Sequence, residues 1–201
     1  MATEDEDAGP RGRRLPKQLV AFAGVLLAGV LIGWVIFRDD ETARAPATTT
    51  VAGQPIAADA RVYPKLGLTL DLPKGWNTSF RGSVLTAVSR DETVSVALSI
   101  AGGAGARIGR RVRRTDRTEL ARLFRAREIG RNRAKVGTAT TIVTELLGRA
   151  RNGRPIRILS MGPASRWRTY SVQSFTVLRP TAVRIAELRT LLASVRYREP
   201  T

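Results

Sequence analysis

Neither cysteine nor histidine occurs anywhere in the 201 residues. These two absences exclude disulfides, thiolate nucleophiles, Cys-ligated metals and triads of the Ser-His-Asp or Cys-His kind. A Ser-Lys route has no support either, because neither G-x-S-x-G nor S-x-x-K appears in the chain. Acidic residues are scarce: from Arg61 onward there are only Asp71, Asp91, Glu92, Asp116, Glu119, Glu128, Glu145, Glu187 and Glu199. No spacing among them demands glycosidase chemistry, which needs proximity in space, so a carboxylate-dependent hydrolase stays open as an alternative. Solvated surface is the better account of these acids, and neither a metal nor a cofactor is expected.

What the chain does have is one long apolar run. Leu19 to Phe37 (LVAFAGVLLAGVLIGWVIF) is 19 residues without a charge, about 28 Å as a helix and close to one hydrocarbon core. A single transmembrane helix is the expectation. Arg11, Arg13, Arg14 and Lys17 precede it, whereas Arg38, Asp39, Asp40 and Glu41 follow, so the N-terminus should stay cytoplasmic and the rest should be extracytoplasmic, at the plasma membrane. The alternative is a cleaved signal peptide, whose apolar core is shorter and ends in an A-x-A-like site. Ala43-Arg44-Ala45, followed by Pro46, fits that site poorly. Gly29-x-x-x-Gly33 has the spacing that lets two membrane helices pack closely, which would allow a homodimer through this segment, although Gly and Ala are common in anchors generally.

The expected organisation is therefore a cytoplasmic disordered tail (1–18), the transmembrane helix (19–37), a flexible Ala/Thr/Pro linker (38–60) and an extracytoplasmic domain (61–201). The tail is too short to hold another protein domain, which argues against an anti-sigma role.

Within the domain, alternation predicts strands over Gly67–Leu72 and Thr93–Ile100, the latter with Val94, Val96, Leu98 and Ile100 on one face. Ala101 to Gly109 reads as a flexible loop. A helix is expected over Asp116–Arg127, capped by Thr115 or Asp116 and carrying Leu120, Leu123 and Phe124 as its apolar stripe. Three strands follow at Thr138–Leu147, Arg154–Met161 and Arg166–Leu178, with Asn152-Gly153 as a hairpin turn. The last element is a helix over Thr181–Ser194, burying Ala182, Ile185, Leu188, Leu192 and Val195 and turning Arg184, Glu187 and Arg189 outward. Strands, helix, strands, helix make an α+β domain: an antiparallel sheet with helices on its faces. Trp76 and Trp167 are expected in its core.

Several phrases in that order carry a resemblance. They are Leu70-Asp71-Leu72-Pro73-Lys74-Gly75-Trp76, the basic mid-domain helix, the meander ending in Tyr170-Ser-Val-Gln-Ser-Phe-Thr-Val177, and the final helix Ala186–Val195. Together they resemble the PsbP-like fold over about Val62 to Tyr197. That fold is shared by the extrinsic subunit of photosystem II, a Ran-binding nuclear import factor and exported lipoproteins of the LpqN type. This chain departs from the LpqN type in having an apolar anchor in place of a lipidated cysteine. What the resemblance implies is an accessory or binding role in the cell envelope, without catalytic residues to carry over.

Charge gives the sharpest functional expectation. From Arg61 onward 28 Lys and Arg stand against the nine acids, and Arg107 to Lys135 alone holds 12 cations against three acids. Such a field attracts anionic envelope polymer, lipid headgroups or an acidic envelope protein. The candidate residues are Arg110, Arg111, Arg113, Arg114, Arg117, Arg122 and Arg125. An equally weighted account is drift in an arginine-rich composition, with 30 Arg to 4 Lys. Outside the cell the Arg110–Arg114 cluster would not meet nucleic acid, so none is expected as a partner. A phosphate loop at Ala101–Gly109 is excluded because no Gly-Lys-Ser/Thr follows.

Overall fold

A computed structural model describes Ile56 and residues 58–199. The apolar run, with Gly29 and Gly33, lies outside the described residues; among those described, no helix is long and apolar enough to cross a membrane.

Two antiparallel sheets form the framework. The smaller consists of β1 (Ala58–Tyr63), β2 (Leu68–Pro73) and β10 (Arg196–Tyr197), in the order β1-β2-β10. β1 starts three residues inside the expected linker because Ala58 pairs with Pro73. The larger contains β3 (Asn77–Arg81), β4 (Val84–Val88), β5 (Val94–Gly103), β6 (Arg127–Val136), β7 (Ala139–Arg149), β8 (Pro155–Met161) and β9 (Arg168–Val177). Its order is β3-β4-β5-β9-β8-β7-β6, so the expected three-strand meander is β7 to β9, with β6 added at its edge and β9 closing against β5. Two helices complete the domain: α1 (Ala106–Leu123) and α2 (Ala182–Ala193).

The seven-stranded sheet is the middle layer. On one side Val94, Val96 and Leu98 of β5, with Tyr170 and Val172 of β9, meet Leu68, Leu70 and Leu72 of β2 and Leu188 and Leu191 of α2. Trp76 closes that core at 4% exposure. On the other side Ala97, Ile156, Ile158 and Phe175 meet Leu120 and Phe124 at the end of α1. Both cores come from alternation: one strand feeds two faces, as Val96 and Ala97 do.

The structure corrects several further expectations, and of the side chains assigned to the buried side of α2, Ala182 is exposed. α1 begins at Ala106, ten residues before the expected start, so Asp116 is mid-helix and not a cap. Ala101 to Gly103 continues β5, which the two glycines had disguised as loop. Glu187 is buried, because Trp76 Nε1 donates to its Oε2 at 2.8 Å and Arg184 pairs with it at 2.6 Å. Trp167 is only half-buried; it sits at the surface under the Arg166 guanidinium, 4.6 Å from the ring centre.

Candidate anion-binding surface

Helical spacing sorts the seven candidate arginines onto different sides of α1. Arg110, Arg113 and Arg117 recur at three and four residues, so they share one flank. That flank faces β6: Arg117 Nη1 reaches Glu128 Oε2 at 3.1 Å, and Arg131 Nη2 donates to the same oxygen at 3.0 Å. Arg111 and Arg114 are exposed on the solvent side of the helix. Arg122 is held by Glu119 at 3.0 Å on the flank away from β6. Arg125 lies beyond the helix in a left-handed conformation, φ 47°. The structure thus brings together three of the seven and leaves the other four apart.

To those three it adds residues the sequence reading did not single out. Arg131, Arg133 and Lys135 alternate along β6 and pair with Thr144, Ile142 and Thr140 of β7. Thr144 is buried in the direction of Leu146, which packs under α1, so this is the sheet face that carries the helix. α1 does not reach its outer edge, where Ile142 remains 39% exposed. Cations at every second residue, R-N-R-A-K, were the available signal for a strand with a basic face.

The electrostatics of this corner are unbalanced. Arg113 is half-buried, and burial followed by the neighbouring charges of Arg110 and Arg131 lowers its affinity for its proton. Glu128 alone serves both Arg117 and Arg131, which hold its carboxyl below the ordinary range. Six of the nine acids in the domain are in ion pairs: Asp71, Asp91, Glu119, Glu128, Glu145 and Glu187. They engage six arginines, which leaves 22 of the 28 cations without an ion-pair partner among the described residues.

The acids themselves are arranged for structure. Asp91 and Glu187 approach each other only through Arg184, whose guanidinium lies 2.9 Å from one and 2.6 Å from the other. Burial raises Asp91, but Arg184, Ser89 and Thr93 outweigh it and keep the carboxyl below its usual range. Asp116 lies under α1, where Ser171 Oγ donates to it at 2.6 Å, and burial pushes its pKa up to about 6 against the lowering effect of Ser171 and Gln173. Among the described residues no group of three or more metal-type ligands occurs.

Layers, order of elements and helix placement define an α+β domain, antiparallel sheets with two helices, as the resemblance to the PsbP-like fold implied. No family model matches the chain, and no curated protein is similar to it in sequence. Among solved structures, a protein from Bacteroides thetaiotaomicron aligns at TM-score 0.51 and 14% identity, over 70% of this chain and 48% of that one. The chain thus spans about half the length of that protein. Cyanobacterial PsbP from Synechocystis aligns at TM-score 0.48 and 12% identity, covering 76% of this chain and 99% of that one. The Ran-binding protein Mog1p of Saccharomyces cerevisiae gives 0.47 and 9%, with 71% and 96% covered. The likeness is one of fold.

Proposed function

We propose that this protein is a non-catalytic binding module of the cell envelope, held at the plasma membrane by Leu19–Phe37 with its domain on the extracytoplasmic side. Its working surface is the cationic corner between α1 and β6, and it engages an anionic partner by charge. One observation carries the reading: Arg110, Arg113, Arg117, Arg131 and Arg133 come from two elements onto one face, served by the single carboxylate of Glu128. Drift in composition would scatter arginines without regard to the fold. The hydrolase alternative is disfavoured by the acids, since Asp91 and Glu187, which share Arg184, are locked on its guanidinium.

The test is photocrosslinking from position 110 of the full-length chain in intact membranes. Adducts should form at low ionic strength and fall away as salt rises, because added ions screen exposed charges beyond about 10 Å at 0.1 M. Adducts whose yield is indifferent to salt would refute a charge-driven surface.

A further inference from the structure

We infer that the anionic partner of this surface is the headgroup layer of the bilayer itself: the α1 flank, the edge strand β6 and the adjoining β7 dock on anionic phospholipid. This rests on the tethered reading above and specifies its partner. Two features of the corner separate a bilayer from a soluble anion. First, the cations form a broad face. Arg131, Arg133 and Lys135 run along the edge strand at about 6.8 Å intervals, and Arg110 and Arg113 continue the field from α1. All but Lys135 are arginines, whose planar guanidinium suits phosphate oxygens two at a time. Second, Ile142 stands exposed in their midst, directly paired with Arg133. An apolar side chain bordered by Arg and Lys is what an interfacial surface needs, one group for the acyl boundary and the others for phosphates.

The tether makes the contact favourable. Phe37 and Ala58 are 21 residues apart in sequence, so even a fully extended chain holds the domain within about 75 Å of the apolar run. Docking is then intramolecular in effect, and a weak surface suffices.

Because the chain has no cysteine, a single environment-sensitive fluorophore can be placed at Ile142→Cys in the full-length protein. It is incorporated into nanodiscs of phosphatidylcholine alone or mixed with phosphatidylglycerol. The emission should shift to the blue only in the anionic discs and return as salt is added. Arg131→Gln, Arg133→Gln and Lys135→Gln should each lower the docked-to-undocked ratio about fivefold. A fluorophore at Arg189→Cys, exposed on α2 behind the other sheet face, should not respond. Equal emission in the two discs, or a shift that survives the three substitutions or appears equally at position 189, overturns the proposal. So does an equal shift produced by soluble polyphosphate on neutral discs, which would make the ligand a phosphate polymer. Failure of the chain to incorporate at all would instead refute the tethered reading.

Discussion

Asp116 is the residue whose environment differs most from what its neighbours in sequence suggest. Thr115-Asp116 followed by Glu119 has the pattern of a capping box, yet the carboxyl is 2% exposed beneath the middle of α1 and makes no ion pair among the described residues. Its pKa near 6 in the folded state lies above the unfolded value of 3.8. Between those values the folded state holds the extra proton, so the contribution of Asp116 to stability is greatest below about 4 and is lost as pH rises through about 6. Asp116→Asn keeps an acceptor for Ser171 and removes the charge. It should therefore raise stability at pH 7, by up to about 3 kcal/mol if the whole shift is recovered, and leave pH 4 nearly unchanged. Denaturant midpoints of both proteins at the two pH values check this; a gain of equal size at both would show that burial of charge is not the cause.

Gly137 constrains the fold through space alone. In the β6–β7 turn it adopts φ 57°, and a Cβ there would fall on the Val195 carbonyl oxygen, which belongs to the segment leaving α2. Its N–H also donates to Leu192 O at 2.8 Å. Gly137→Ala should destabilise by about 3 kcal/mol or more, since both strain and displacement oppose it. A thermal melt within two degrees of the parent would contradict that close approach.

At the scale of elements, β2 and β5 were legible from apolar residues at every second position, and β7, β8 and β9 as β-like runs set off by Asn152-Gly153 and Gly162–Ser165. The start of α2 was legible at Thr181, whose Oγ1 accepts from the Arg184 N–H. β6 was not legible, because as an edge strand it exposes cations on one face and buries little beyond Val136 on the other. β1 and β3 are mostly exposed and offer no apolar period. The early start of α1 was hidden by Gly102, Gly103, Gly105 and Gly109, which weigh against helix by propensity. Tertiary packing overrides that weight at Gly109. The helix backbone rests on Gly162 so closely that a Cβ on Gly109 would lie 2.7 Å from Gly162 O, and one on Gly162 would lie 2.6 Å from Gly109 O.

That contact yields a prediction with two opposing terms. Gly109→Ala should gain about 1 kcal/mol of intrinsic helix preference and lose about 1–3 kcal/mol through overpacking against the strand end. The net effect should be loss of stability, together with a shift of α1 away from Gly162 that carries Arg113 with it. Salt-sensitive crosslinking from position 110 should weaken in parallel. A more stable variant would show that α1 can slide without cost. The candidate site was legible to the same extent as these elements: the stretch Arg107–Lys135 stood out by charge, but which arginines converge depends on a helix phase and a strand register that composition does not encode.

For the whole molecule, the orientation proposed for Leu19–Phe37 across the membrane decides which partners the basic face can meet. A domain carrying 28 cations and nine acids on the far side of the membrane from the cytoplasm looks at odds with the bias of cations toward the cytoplasmic side. The bias, however, is counted within about 15–20 residues of the membrane segment, and long domains cross largely regardless of charge. Within that range Arg11, Arg13, Arg14 and Lys17 stand before the apolar run and only Arg38 and Arg44 after it. Carboxylates count little in this bias, so Glu4 to Asp7 do not cancel the four cations. The opposite orientation would place the α1–β6 corner among cytoplasmic nucleic acids, where its field would act indiscriminately. In the cysteine-free chain the two arrangements separate cleanly. Arg151→Cys, exposed in the β7–β8 turn, should react with a membrane-impermeant maleimide on whole cells. Thr3→Cys should react only after lysis. The reverse pattern would turn the basic face inward and remove the extracytoplasmic bilayer leaflet as its partner.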